Sequence, residues 1–188
     1  MAQGEEKRKA AEGEVISVGI DPGLDGAVAV IDCPLQNWRE GQVELHPVPF
    51  IIKAKGKSRR LYDEQGMAQL IRDIESLPGD VFVTLEKAQA MPGQGVHSMF
   101  TFGEGFGLWK GILCGLQVSH QVIHPRTWQR IVCRDVPGDT KARAILTAQR
   151  YFPKVDLRAT ERSRKPHTGR ADALCMAIFG ILDRGLGT

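Results

Sequence analysis

No run of about twenty apolar residues occurs in the sequence, so no helical membrane span is expected. None of the four cysteines, Cys33, Cys114, Cys133 and Cys175, forms a CxxC pair, and their spacing is not that of a secreted disulfide framework. A structural zinc site is not expected, and a reducing compartment is the simpler assumption. Cys114 and Cys175 sit in apolar helical runs and read as buried thiols. There is no GxGxxG fingerprint and no Walker A sequence, which removes the usual signs of dinucleotide or P-loop binding. Ser98 lacks a GxSxG setting, and neither His97 nor Cys114 has a convincing partner, so serine or cysteine hydrolysis is weakly supported. No internal repeat and no low-complexity segment is visible. The first fourteen residues are too polar for a signal peptide.

What is present fits one soluble domain. The chain has 188 residues, 42% apolar and 25% charged, enough to bury a core without staples. A flexible tail over 1–14 and a single domain over 15–188 are expected. The formal net charge is only +3, and the tail sets Lys7, Arg8 and Lys9 against four glutamates, so the body alone carries +4. Local clustering says more. Lys53, Lys55, Lys57, Arg59 and Arg60 fall within eight residues with no acid among them. Arg158, Arg162, Arg164, Lys165 and Arg170 form a second cluster, offset by Glu161. Both read either as solvated loops or as phosphate-binding patches on a polyanion-binding protein.

The hydrophobic pattern predicts a mixed sheet covered by helices. Val15–Ile20 and Ala27–Ile31 read as adjacent strands around a Pro22-Gly23 turn. Val43–Ile52, broken by Pro47 and Pro49, reads as an edge strand, and 53–60 as a loop. Met67, Leu70, Ile71, Ile74 and Leu77 follow helical spacing, and Val81–Leu85 is a compact strand. Gly103, Gly107, Gly111 and Gly115 recur every four residues beside the apolar stripe Phe102, Phe106, Trp109, Leu113 and Leu116. Glycines at that spacing on a helix imply close approach of another element, in the core or between subunits. Val118–Ile123 is a further strand. Pro125–Val132 starts a short helix with Trp128 and Ile131 inward. A helix capped by Asp139 or Thr140 runs to Tyr151, and Gly169–Leu182 forms the last helix.

Three acids stand out. Asp21 and Glu86 each follow a strand, and Asp172 lies near the start of the last helix. A single acid at a sheet rim is ordinary; three on separate elements beside small residues form a candidate site for hard cations. Carboxylates bind Mg²⁺ through oxygen, and two ions about 3.5–4 Å apart can activate water and stabilise a departing oxygen. Without cations, such carboxylates repel each other and their pKa values rise. Asp25, in the turn Asp21-Pro22-Gly23-Leu24-Asp25-Gly26, reads as a turn former rather than a ligand.

The run Ile20-Asp21-Pro22-Gly23, the strand end Leu85-Glu86-Lys87 and the helix start Gly169-Arg170-Ala171-Asp172-Ala173-Leu174 resemble the RuvC-like Holliday junction resolvases, with the plant chloroplast branch as the nearest match. Ser98-Met99-Phe100-Thr101-Phe102-Gly103 and its glycine-rich continuation match the same group, and the resemblance spans about residues 15–184. It implies an RNase H-like α/β fold and a homodimer that cuts two opposed strands of a four-way DNA junction, leaving 5′-phosphate and 3′-hydroxyl ends. It implies Mg²⁺, with Mn²⁺ as a substitute, held by Asp21, Glu86 and Asp172. The family's fourth ligand precedes the last aspartate and is acidic in most branches, histidine in some. His167 is the candidate here, at a longer spacing than in bacterial members; Thr168 in place of an acid is the open alternative. Phosphate contacts are expected from Lys53, Lys55, Lys57, Arg59, Arg60, Lys87, Lys141, Arg164, Lys165 and Arg170. Phe100, Phe102 and Phe106 read as a junction wedge or as core or dimer packing. A chloroplast location is implied, with no transit peptide in this chain. The alternatives are a nuclease for RNA–DNA hybrids and a non-catalytic junction-binding protein.

Overall fold

The computed structural model describes residues 14–34, 36–53, 59–89, 93 and 95–185. Strand β1 (Glu14–Ile20) lies at the centre and is buried from Val15 onward. It runs antiparallel to β2 (Ala27–Pro34), which in turn pairs antiparallel with β3 (Gln42–Pro47). On its other side β1 is parallel to β6 (Asp80–Glu86), and β6 is parallel to β7 (His120–Ile123). The sheet order is β3-β2-β1-β6-β7. Two shorter strands, β4 (Phe50–Lys53) and β5 (Arg59–Tyr62), form a separate antiparallel pair.

Helices cover both faces, as parallel strands require. Helices α1 (Glu64–Glu75) and α2 (Val96–Gly115) pack on one face, where Ile16, Val18 and Ile20 of β1 meet Met67, Ile71, Trp109 and Leu113. Helices α3 (Pro125–Val132), α4 (Thr140–Tyr151) and α5 (Thr168–Asp183) share the opposite core with Ala27, Ala29 and Ile31 of β2. The period-two alternation of β2, with Val28 and Val30 facing the first core and Ala29 and Ile31 the second, ties the two layers to one sheet. Helix α5 is buried almost throughout because it crosses β1 and β2. Its all-round apolarity marks it as a core helix rather than an amphipathic surface one. Among the described residues, no helix is long and apolar enough to cross a membrane.

Several expectations need correction. Glu14, assigned to the tail, is the first residue of β1, whereas residues 1–13 lie outside the described ones. The segment 43–52 splits, with β3 on the sheet edge and β4 in the separate pair, because Pro47 and Pro49 interrupt the ladder. Arg59 and Arg60 stand on β5 rather than in a loop. Ile131 is 41% exposed and Val132 takes the inward place beside Trp128. Cys114 is exposed, as is Leu77. Gly103, Gly107, Gly111 and Gly115 face open space among the described residues, where a Cβ at each would meet nothing within 4 Å. Among the described residues the stripe packs against no other element.

Candidate active site

Parallel pairing brings the first two acids together. Ile20 sits opposite Leu85, so Asp21 and Glu86 leave the sheet at the same edge from neighbouring strands. Helix α5 supplies the third acid, since its start lies against the turn after β1. A Cβ on Gly169 would come within 3.1 Å of Asp21 Oδ2 and 2.6 Å of the Asp25 carbonyl oxygen, so only glycine allows this approach. One turn further, Asp172 joins the set.

The three carboxylates are coupled electrostatically. Burial chiefly raises Asp21 to about 6, with the Asp25 charge adding and a hydrogen bond from the Gly23 amide (3.2 Å) opposing. Burial, then the charge of Asp21, pushes Glu86 to about 7, against a hydrogen bond donated by Trp128. Burial, then the charges of Asp21 and Glu86, then Cys133, push Asp172 to about 8, with Lys141 opposing. Among the described residues none of the three is in an ion pair. No group of three or more His, Cys, Asp or Glu side chains among those residues is drawn together as a formed cation cage. The trio is thus a set of mutually repelling, partly desolvated carboxylates that no described side chain holds in an ion pair. That donor chemistry fits a hard divalent cation.

His167 is the residue before α5. Its amide donates to the Leu157 carbonyl (2.8 Å), and its buried Nδ1 has no hydrogen-bond partner among the described residues. An orphaned buried nitrogen at this position is consistent with a role toward a cation or water. Thr168 and Gly169 line a cleft of about 600 Å³ together with Asp21, Arg59, Arg60, Tyr62 and Phe102. His97 and Ser98 also line this cleft, and neither carried a sequence signal for this placement.

The basic residues divide. Arg59 lines the cleft and Lys53 is exposed at the end of β4, while Lys55 and Lys57 lie outside the described residues. Arg60 also lines it, but its guanidinium is paired with Asp25 and lies over the Phe50 ring. Lys141 is exposed in the first turn of α4 and acts on Asp172. Lys87, Arg164 and Lys165 are exposed. Arg170 departs from expectation: it donates to the carbonyls of Arg158 (2.7 Å) and Ala159 (3.4 Å) and borders a different cavity, beside Tyr151 and Lys154. Its guanidinium braces the preceding loop. The three phenylalanines separate too. Phe100 is 72% exposed, Phe102 lines the cleft, and Phe106 packs against the core, which removes it from any wedge.

Two supporting residues escaped sequence reading. Trp128 was expected to face inward, but not to place its indole N–H 2.9 Å from Glu86 Oε1. Tyr62 carries its hydroxyl to the carbonyl oxygens of Pro22 (3.1 Å) and Thr101 (3.0 Å), tying β5, the Asp21 turn and α2 together.

No protein-family model matches the sequence, and no curated protein does. Solved structures do match. The structure of Thermus thermophilus RuvC in complex with Holliday junction substrate aligns with a TM-score of 0.54 at 12% identity, covering 94% of this chain and 98% of that one. A second Thermus thermophilus RuvC structure aligns with a TM-score of 0.52 at 13% identity, covering 92% and 96%. Over nearly its whole length, the chain has the RNase H-like α/β fold of these RuvC structures.

Proposed function

We propose that this chain is a divalent-metal-dependent endonuclease that resolves four-way DNA junctions as a homodimer, and that it belongs to the plant chloroplast branch of the RuvC-like resolvases. The observation that carries the reading is the placement of Asp21 and Glu86 at matching ends of neighbouring parallel strands, with the charges of both acting on Asp172, and each of the three carboxyls raised chiefly by burial. The likeness of fold to a RuvC bound to a Holliday junction substrate supports the choice of DNA.

Asp21, Glu86 and Asp172 would hold the cation, with the unpartnered Nδ1 of His167 as the fourth donor. When bound, Mg²⁺ or Mn²⁺ supplies an activated water and charge stabilisation for the departing 3′-oxygen. Arg59, Lys53, Lys55, Lys57 and Lys141 neutralise phosphates and set the position of the DNA, whose geometry provides most of the selectivity. Lys87, Arg164 and Lys165 extend that surface. The open glycine face of α2, beside exposed Phe100, is the face we assign to the second subunit. Two-fold symmetry then matches two sites to two strands.

A second reading, a junction-binding protein without catalysis, draws on the lack of a fourth carboxylate before Asp172, where His167, Thr168 and Gly169 stand. One experiment separates the readings. A four-way junction, a linear duplex and an RNA–DNA hybrid of matched sequence are incubated with Mg²⁺, Mn²⁺ or EDTA. Paired incision of the junction with either divalent ion, and none in EDTA, is expected. Preferential hybrid cleavage would transfer the protein to the RNase H-type reading, and binding without incision would establish the non-catalytic one.

A further inference from the structure

Glu86 has one side-chain hydrogen-bond partner among the described residues, and it is uncharged. The pairing of β6 with β7 sets Glu86 opposite Ile123, and the Lys87 amide closes the pair on the Ile123 carbonyl at 2.8 Å. The chain then enters α3 at Pro125, and the first turn of that helix returns Trp128 beneath Glu86. The indole is fully buried, packed in the core shared with Ile123, Val132 and Leu174. Its N–H therefore points in a direction set by the core. An indole is a donor only and carries no charge. It fixes Oε1, leaves Oε2 free, and keeps the full negative charge available to a cation. A lysine or arginine there would neutralise the ligand it was orienting.

We propose that Trp128 is a positioning residue that orients Glu86 for divalent-ion binding; the proposal rests on the metal-site reading above. Partners one step behind a ligand typically contribute 10–100-fold in metal affinity. The test compares Trp128→Phe with Trp128→His. Imidazole matches the five-membered half of indole, and its Nε2 falls where the indole nitrogen stood. Both variants lose part of the fused ring, and at about pH 8 the imidazole is neutral, so affinity recovered by the smaller histidine reads the N–H rather than packing. Calorimetric titration with Mg²⁺ should show about a tenfold weaker affinity for Trp128→Phe, with part of it recovered by Trp128→His. In the wild type, the assigned Trp128 indole ¹H–¹⁵N resonance should move saturably with Mg²⁺ at the calorimetric midpoint, while those of Trp38 and Trp109 stay fixed. This second measurement needs no variant to fold. A stationary Trp128 resonance in a wild type that binds Mg²⁺ overturns the proposal, as does equal affinity in the wild type and Trp128→Phe. If the wild type binds Mg²⁺ and Asp21→Asn abolishes it, the metal-site reading survives that failure. Absence of any divalent binding in the wild type overturns both.

Discussion

Asp172→Asn should stabilise the metal-free protein at alkaline pH and blunt its response to Mg²⁺. Burial and the charges of Asp21 and Glu86 hold the Asp172 carboxyl at about 8, against an ordinary value of 3.8. The folded chain keeps a proton that the unfolded chain releases. Stability must then fall as pH rises from about 4 and level off above about 8, because the raised pKa belongs to the folded state. At roughly 1.4 kcal/mol per tenfold change in proton affinity, the full difference corresponds to about 6 kcal/mol. Burial of the charge is the largest part of that cost and repulsion by Asp21 and Glu86 comes second; Asn removes both, and with the folded site relaxing around the charge about half of the total, roughly 3 kcal/mol, is expected to be recovered. For a domain of this size that raises Tm by roughly 6–12 °C. Thermal melts of both proteins in EDTA at about pH 9 should show the gap, and at about pH 5 it should close because the wild-type carboxyl is then neutral. Saturating Mg²⁺ should raise the wild-type Tm far more than the variant's. A variant no more stable than wild type at high pH in EDTA would refute the account, as would an equal Mg²⁺ response in both.

Gly105→Ala would bring a Cβ within 2.2 Å of Tyr62 Oη and 2.4 Å of the Pro22 carbonyl oxygen. Urea unfolding should show a loss of roughly 1–3 kcal/mol. In the dissociated subunit, at protein concentrations below those that form the dimer, Gly107→Ala, which meets nothing within 4 Å among the described residues, should instead gain roughly 0.5–1 kcal/mol from helix propensity. Replacing Lys53, Lys55 and Lys57 together by Ala should flatten the logarithmic salt dependence of junction binding; an unchanged slope removes this segment from the phosphate-binding surface. Gly111→Leu should weaken the dimer in sedimentation and raise the ratio of nicked to doubly cut cruciform plasmid. A full-strength dimer that cuts both strands normally would remove the glycine face from the interface.

The sheet was legible because its strands are short apolar runs ending in chemically distinct residues. Ile20-Asp21 and Leu85-Glu86 carry their acids at matching ends, and the parallel register of β1 and β6 makes those ends neighbours. Asp172 was legible as an acid early in an apolar helix. The convergence itself was not, since it depends on a close backbone approach at Gly169 that periodicity does not encode. Trp128 read only as an inward-facing aromatic residue and Tyr62 carried no reading, because a hydrogen bond from an indole or phenol tip leaves no trace in hydrophobic spacing. Arg170 looked like part of a basic patch, yet carbonyl groups of its own loop claim its guanidinium. The glycine stripe was equally ambiguous between a core contact and a subunit contact. Only the placement of α2 showed Gly105 as the buried glycine and the four-residue series as the open one.

Asp21→Asn, carried through a gel shift and a cleavage assay on one four-way junction in Mg²⁺, tests the carboxylate trio most directly. The substitution keeps the shape of the side chain and removes the charge that faces Glu86 and Asp172. Transition-state stabilisation by a cation depends on that charge, whereas phosphate attraction by the basic residues does not. The variant should bind the junction as tightly as the wild type and cut neither strand; near-normal cutting would contradict the assignment of Asp21 as a metal ligand.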